Sequence, residues 1–261
     1  MTETTGVLEH EGERLAWRRV EGAGPTIVWM GGFRSDMTGT KAQALADWAA
    51  GQGRSFLRFD WTAHGESTGD FERQGTIGRW RSDALAVIDR LTQGPLVLIG
   101  SSMGGWLACL AALARPERIA GLALIAPAAD FTSKLMGPAL PPEAHAALAR
   151  DGVWREPSEY DPAGYPITAA LLDEGERWSI LPGPVSITAP VRILQGGRDD
   201  AVPWRHALDV AEALAGEDVV FTLIRDGDHR LSRPQDIARL VEVVVELTRS
   251  SSFSSSPVAA Q

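Results

Sequence analysis

Cysteine is almost missing from this chain: Cys109 is the one in 261 residues, so no internal disulfide can form. Positive charge is also scarce, with 25 lysines and arginines against 34 acidic residues and a formal net charge of −9. That balance repels nucleic acid and anionic membranes at long range, and no basic run offsets it. No apolar run approaches the ~20 residues that a membrane-spanning helix needs. His, Cys and carboxylates are nowhere grouped at metal-ligand spacing, so neither a metal nor a cofactor is expected. Nothing near Met1 joins basic residues to an apolar stretch as a signal or transit segment does. The expectation is a cytoplasmic protein with no nucleic-acid partner and no stable membrane insertion.

What the chain does have is core-forming material, with 44% hydrophobic and 23% charged residues, enough for one large domain. Short apolar runs recur as TIVWM (26–30), SFLRF (55–59), LVLIG (96–100), GLALIA (121–126), VRILQG (191–196) and VVFTLI (219–224). They are continuous rather than alternating, as strands covered on both faces are. Helical patterns separate them. TKAQALADWAAGQG opens on a capping box, Thr40 and Gln43, and should end at Gly51, while IGRWRSDALAVIDRL and MGGWLACLAALARP carry apolar residues three and four apart. Alternating strands and helices predict a mostly parallel sheet flanked by helices. GVLEH, EGE and RLAWRRV predict an antiparallel hairpin at the N-terminal edge. The last helix should run from about Asp236 to Arg249 and bury Ile237, Leu240, Val241, Val244 and Val245. The domain thus spans 1–250, and the serine-rich stretch 251–261 reads as a disordered tail.

The rhythm breaks between about Ala128 and Thr188. That stretch has many prolines, no good strand, and helical fragments near 143–150 and 168–177. An insertion after the carboxyl end of a parallel strand lies over the crevice where ligands bind, so a small helical cap is expected. Its aromatics Trp154, Tyr160, Tyr165 and Trp178 either line an apolar pocket or bury the cap against the core.

The decisive stretch is LVLIGSSMGGWLACL (96–110), where a strand must become a helix within about one residue. A phosphate-binding loop would require GxxxxGK followed by Ser or Thr, and no lysine is present. GxSxG is present, as Gly100, Ser101, Ser102, Met103 and Gly104, in strand-to-helix context. A reversal this sharp strains the middle residue and demands small neighbours two positions away on either side. Ser102 is then the nucleophile and Ser101 a small residue packed beside it.

A serine needs a base steadied by an acid, in the chain order serine, acid, histidine for this motif. Asp199 follows VRILQGG and His229 follows VVFTLIRDGD. His206 falls at a helix start and reads as a surface residue; His10, His64 and His145 precede the acid, and His64 reads as shaping a loop near the site. Asp200 competes with Asp199, but the spacing to Val202 and Pro203 favours Asp199 and leaves Asp200 to cap the turn or the following helix. Met103 N–H and a second amide from WMGGFRSDM, assigned to Phe33, would hold an oxyanion. Cys109 lies seven residues beyond Ser102 and reads as a core thiol.

SDMTGTKAQAL, FLRFDWTAHGES, GRWRSDALAVIDRL, GSSMGGWL, ARPE, DDAVPW and DHRL together resemble the α/β-hydrolase superfamily, and within it the abhydrolase-domain palmitoyl-protein thioesterases that also act as acyl-glucuronide esterases. The resemblance implies the α/β-hydrolase fold and hydrolysis of acyl thioesters and activated esters, with a triad on Ser102, Asp199 and His229. One departure is that Gly31 and Gly32 stand where many relatives carry His-Gly. The expected partner is a small-molecule acyl ester or thioester, or an acylated protein. The rival readings are a general carboxylesterase and a ligand sensor that binds without turnover.

Overall fold

The computed structural model describes residues 3–157, 164–181 and 183–250. Tyr160 and the stretch 251–261, expected above in the cap and in a disordered tail, lie outside the described residues. In chain order the elements are β1 (Thr4–His10), β2 (Glu13–Val20), β3 (Ala23–Met30), α1 (Thr40–Gln52), β4 (Arg54–Phe59), α2 (Phe71–Gln74), α3 (Ile77–Leu91), β5 (Leu96–Ser101), α4 (Met103–Ala114), β6 (Ile119–Ile125), α5 (Gly137–Ala139), α6 (Pro142–Asp151), β7 (Val153–Glu156), β8 (Tyr165–Thr168), α7 (Ala169–Arg177), β9 (Val191–Gly196), α8 (Trp204–Ala213), β10 (Val219–Ile224) and α9 (Pro234–Ser250).

Eight strands form one sheet in the order β1-β2-β4-β3-β5-β6-β9-β10. β1 and β2 make the expected antiparallel hairpin, β2 joins β4 antiparallel, and every later pair is parallel. The continuous apolar runs follow from burial on both faces. Leu96 and Leu98 of β5 enter one core layer, with Leu122 and Leu124 of β6, while Val97, Ile99, Ala123 and Ile125 enter the other. The period of two divides each strand between the layers. One layer is closed by α3, α4 and α8, the other by α1 and α9. All the parallel strands therefore end on one rim, where their loops converge.

The structure corrects several local expectations. α1 is not opened by a capping box: Gly39 precedes it without a side-chain cap, Gln43 donates instead to Asp47 at 2.9 Å, and the helix runs past Gly51 to a left-handed Gly53 at φ 64°. β10 is the sheet edge, so VVFTLI is not buried on both faces, and Val220 and Leu223 are exposed. α9 buries Leu240, Val244, Leu247 and Thr248, whereas Ile237, Val241 and Val245 are half-buried. The stretch 128–188 is not purely helical. β7 and β8 pair antiparallel beside α6 and α7, with Trp154 opposite Ile167. Asp130, at φ 54° and fully buried, ties the end of this stretch to its beginning by accepting from Ser179 Oγ at 2.6 Å, Ile180 N at 3.0 Å and Leu181 N at 3.0 Å.

Candidate active site

Ser102 stands between β5 and α4 with φ 56° and ψ −120°, a conformation that L residues rarely adopt. The turn is possible because the residues two positions away on either side have no side chains. A Cβ on Gly100 would lie 2.3 Å from the Gly104 carbonyl oxygen, and one on Gly104 2.1 Å from that of Met30. Two hydrogen bonds hold the strained backbone to the adjacent strand end: Ser102 N donates to Ile125 O at 2.8 Å, and Ala128 N donates to Ser102 O at 3.1 Å. Ser102 is half-buried, whereas Ser101 is buried within the sheet.

Two loops further along the rim, Asp199 Oδ2 lies 2.8 Å from His229 Nδ1. The aspartate side chain is wholly buried and its other oxygen is fixed by the turn it begins, accepting from Ala201 N at 3.0 Å and Val202 N at 2.7 Å. Gln195 Nε2 donates to Oδ2 at 3.1 Å. Burial alone would raise this carboxyl, but hydrogen bonds from His229, Val202 and Gln195 outweigh it and hold the pKa below the ordinary carboxylate value. Asp200 is exposed and does not cap α8, which starts after Pro203 without a side-chain cap. Asp199 itself organises that turn.

The other histidines lie elsewhere. His206 is not a surface residue: it is buried on the inner side of α8, and its Nε2 has no partner among the described residues. Burial lowers its pKa. His10 bonds Ser82 Oγ at 2.9 Å, and His145 is exposed on α6. His64 does shape a loop beside the site, since its Nε2 accepts from Arg34 N at 3.1 Å.

That loop follows β3 and carries Phe33. Gly32 packs against the elbow so closely that a Cβ there would sit 3.3 Å from Ser102 Cβ. In place of a His-Gly pair, the loop is held by its own turn, Ser35 N donating to Gly32 O at 3.2 Å, and from outside: Trp61 Nε1 donates to Gly31 O at 3.0 Å, and Asp60 accepts from Met37 N at 2.7 Å and Glu66 N at 2.8 Å. Arg34, at φ 55°, lies 4.8 Å over Phe33 and 4.5 Å over Tyr165, and donates to Pro166 O at 2.9 Å. Trp61, Asp60, Arg34 and Asp130 were not singled out from sequence. Met103 begins α4, so its N–H has no carbonyl one turn back to bond.

Two cavities open on Ser102. One, of about 470 Å³, is walled mainly by apolar groups, among them Phe33, Met103, Phe131, Leu135, Met136 and Trp154. The other, of about 420 Å³, is polar and is shared by Ser102, His229, Lys41 and Arg230. Of the cap aromatics, Trp154 lines the first cavity and Tyr165 a smaller pocket with Arg34, whereas Trp178 packs inward, its carbonyl accepting from Trp106 Nε1 at 3.2 Å. Cys109 is buried in α4, and burial pushes its thiol up to about 12. Among the described residues no group of three or more His, Cys, Asp or Glu could hold a metal ion, and no helix is long and apolar enough to cross a membrane.

Comparison with known proteins identifies the relatives of the chain. Residues 26–155 match the family model described as serine aminopeptidase, S33. The mitochondrial palmitoyl-protein thioesterase ABHD10 of Bos taurus is 38% identical over 234 residues, 89% of this chain and 76% of that protein. This chain belongs to the α/β-hydrolase superfamily. Among solved structures, a putative hydrolase from Agrobacterium vitis S4 superposes on this hydrolase with a TM-score of 0.89 at 42% identity, covering 95% of this chain and 100% of the other. Mouse ABHD10 superposes with a TM-score of 0.85 at 36% identity, covering 95% and 99%. The expected fold, with its mostly parallel sheet and N-terminal hairpin, is thus that of the superfamily. The curated relatives are named as mitochondrial, so they lend no support to a cytoplasmic address.

Proposed function

We propose that this hydrolase cleaves acyl thioesters and activated carboxylic esters through an acyl-enzyme on Ser102, with His229 as the base and Asp199 as its orienting acid. The observation that carries the reading is the strained Ser102 between two cavities, one of them shared with a histidine whose Nδ1 is bonded to a buried aspartate. With Nδ1–H given to Asp199, the Nε2 lone pair of His229 is free to take the serine proton as Oγ attacks the acyl carbon. The Phe33 and Met103 amides then stabilise the oxyanion, a contribution worth roughly 3 kcal/mol per donor in comparable sites. The imidazolium returns its proton to the leaving group, and water releases the acid by the same steps in reverse. A thiolate leaves easily, so a thioester asks less of the acid than an amide does.

The 470 Å³ cavity and its apolar wall suit the acyl chain. The name of ABHD10 supports a thioester of a long acyl chain on a protein, and the same chemistry extends to acyl glucuronides and other reactive esters. A panel of acyl thioesters, aryl esters and aminoacyl amides of graded chain length, run beside fluorophosphonate labelling, tests the reading. Cleavage of thioesters and esters with labelling at Ser102 is expected. Amide turnover with little ester turnover would make the protein a peptidase, and binding without product release would make it a sensor.

A further inference from the structure

The two cavities at Ser102 differ in chemistry, and only the polar one is lined by His229. If Ser102 is the nucleophile, as proposed above, the proton returned by His229 is delivered on that side, which makes it the side of the departing group. Its wall is rich in donors. Lys41 and Arg230 both face it, in a protein whose net charge is −9. Lys41 spends one ammonium hydrogen on the Arg230 carbonyl, leaving two more. α1 begins there after Gly39, with no side-chain cap and no acidic residue in its first turn, so its first amides point outward unsatisfied. Trp29 stands in the same wall, only 4% exposed, and its indole Nε1 has no acceptor among the described residues.

Acceptors are present as well, in the hydroxyls of Ser35, Thr40 and Ser232 and in one carboxylate. Asp36 is that carboxylate: its Oδ1 accepts from Thr38 N at 2.7 Å and Thr38 Oγ1 at 2.5 Å, so one negative charge stands against the two cations and Arg34 in the same wall. Asp228, near Lys41, accepts from Leu231 N at 2.9 Å. Arg34 also reaches the wall, though its guanidinium is engaged by Glu156 and Pro166. Two cations, a helix N-terminus and an orphaned buried N–H call for a ligand that is negatively charged and offers several acceptors.

We propose that this polar cavity is the leaving-group subsite, and that it selects acyl donors whose leaving group carries a phosphate or a carboxylate. The apolar cavity then reads the acyl chain and the polar one reads what the chain is attached to.

The test compares thioesters of one acyl chain on three thiols: coenzyme A, which bears phosphates, 3-mercaptopropionate, which bears a carboxylate, and neutral N-acetylcysteamine. In the wild type kcat/KM should favour an anionic thiol by about tenfold at low ionic strength, a preference of the size that one half-buried and one exposed cation can supply together, and salt should erode it. Within the Lys41→Gln/Arg230→Gln variant, the same ratio should fall to about one. A second readout does not depend on turnover. The Trp29 indole N–H resonance, assigned by its loss in Trp29→Phe, should move when the free anionic thiol is added and stay still with the neutral one. A response to coenzyme A alone identifies a phosphate site, and one to mercaptopropionate alone a carboxylate site. Equal cleavage of all three by the wild type, a preference that survives the double substitution, or a Trp29 signal indifferent to both anions overturns the proposal. Failure to cleave any thioester would remove the thioesterase reading beneath it, while the Trp29 signal would still decide whether anions occupy the cavity.

Discussion

The indole of Trp61 donates to the carbonyl oxygen of Gly31 at 3.0 Å, linking the loop after β4 to the loop that carries Phe33. Two adjacent glycines would otherwise leave the proposed oxyanion donor on a loose backbone. Trp61→Phe keeps an aromatic ring edge-on to Phe59, whose centroid lies 4.6 Å away, but removes the donor. A buried carbonyl left unpaired costs about 1 to 3 kcal/mol of stability. We expect kcat to fall by roughly tenfold through a misplaced Phe33 amide, with KM changed by less than about threefold. Equal kcat in the two proteins would show that this hydrogen bond does not position the donor.

Ser101 and Ser102 are adjacent, yet one is buried in the sheet and the other occupies the strained turn. Ser102→Ala should lower hydrolysis of an activated ester by about 10³-fold or more and abolish fluorophosphonate labelling. Ser101→Ala should retain substantial activity. The reverse pattern in esterase assays would mean that the elbow presents the other hydroxyl.

Asp199 and Asp200 separate in the same way. Asp199→Asn puts an amide opposite His229 Nδ1 and favours the wrong tautomer, so turnover should drop by about 10³ to 10⁴. The same carboxylate holds the turn through Ala201 and Val202, so some loss of stability should accompany it. Asp200 is exposed and neither orients the histidine nor caps α8. Asp200→Asn should therefore change turnover by less than about threefold and the melting temperature hardly at all. Variants assayed well below their melting temperatures distinguish the two; a larger kinetic loss at Asp200 would exchange the assignments.

Much of this was legible in the sequence because it is local. A strand buried on both faces must be apolar throughout, and a strand that turns into a helix in one step must have glycine at positions 100 and 104. What escaped depends on partners distant along the chain. Trp61 meets Gly31 thirty residues away, and Asp130 meets Leu181 fifty-one residues away, so no window around either reveals its role. The strands VWRE and YPIT are four residues long, and one contains a proline, which sits there on the edge of a two-stranded sheet. His206 was misplaced because the helix pattern of α8 does not show which neighbours cover its face. The exposure of β10 follows from its place at the sheet edge, which topology decides and hydropathy does not.

Asp60 supplies a prediction about pH. Its carboxylate sits 2% exposed between the loops of Met37 and Glu66, and burial pushes its pKa up from 3.8 to about 6, against the lowering effect of the two backbone N–H groups. Between those values the unfolded chain has released the proton while the folded protein still holds it. The stabilisation from this raised pKa is therefore fully present below about pH 4 and is lost as the pH rises through 6, a change on the order of 2 to 3 kcal/mol. Asp60→Asn has no such titration: its amide oxygen can accept one of the two backbone N–H groups, and its NH₂ confronts the other. Urea unfolding of both proteins at pH 5 and pH 7.5 isolates the effect, because the remaining carboxylates titrate alike in each and cancel in the difference. The wild type should exceed Asp60→Asn by more at pH 5 than at pH 7.5. A gap that is constant with pH would mean that Asp60 ionises at an ordinary carboxylate pKa, and that the loop is held by an anion whose burial costs little.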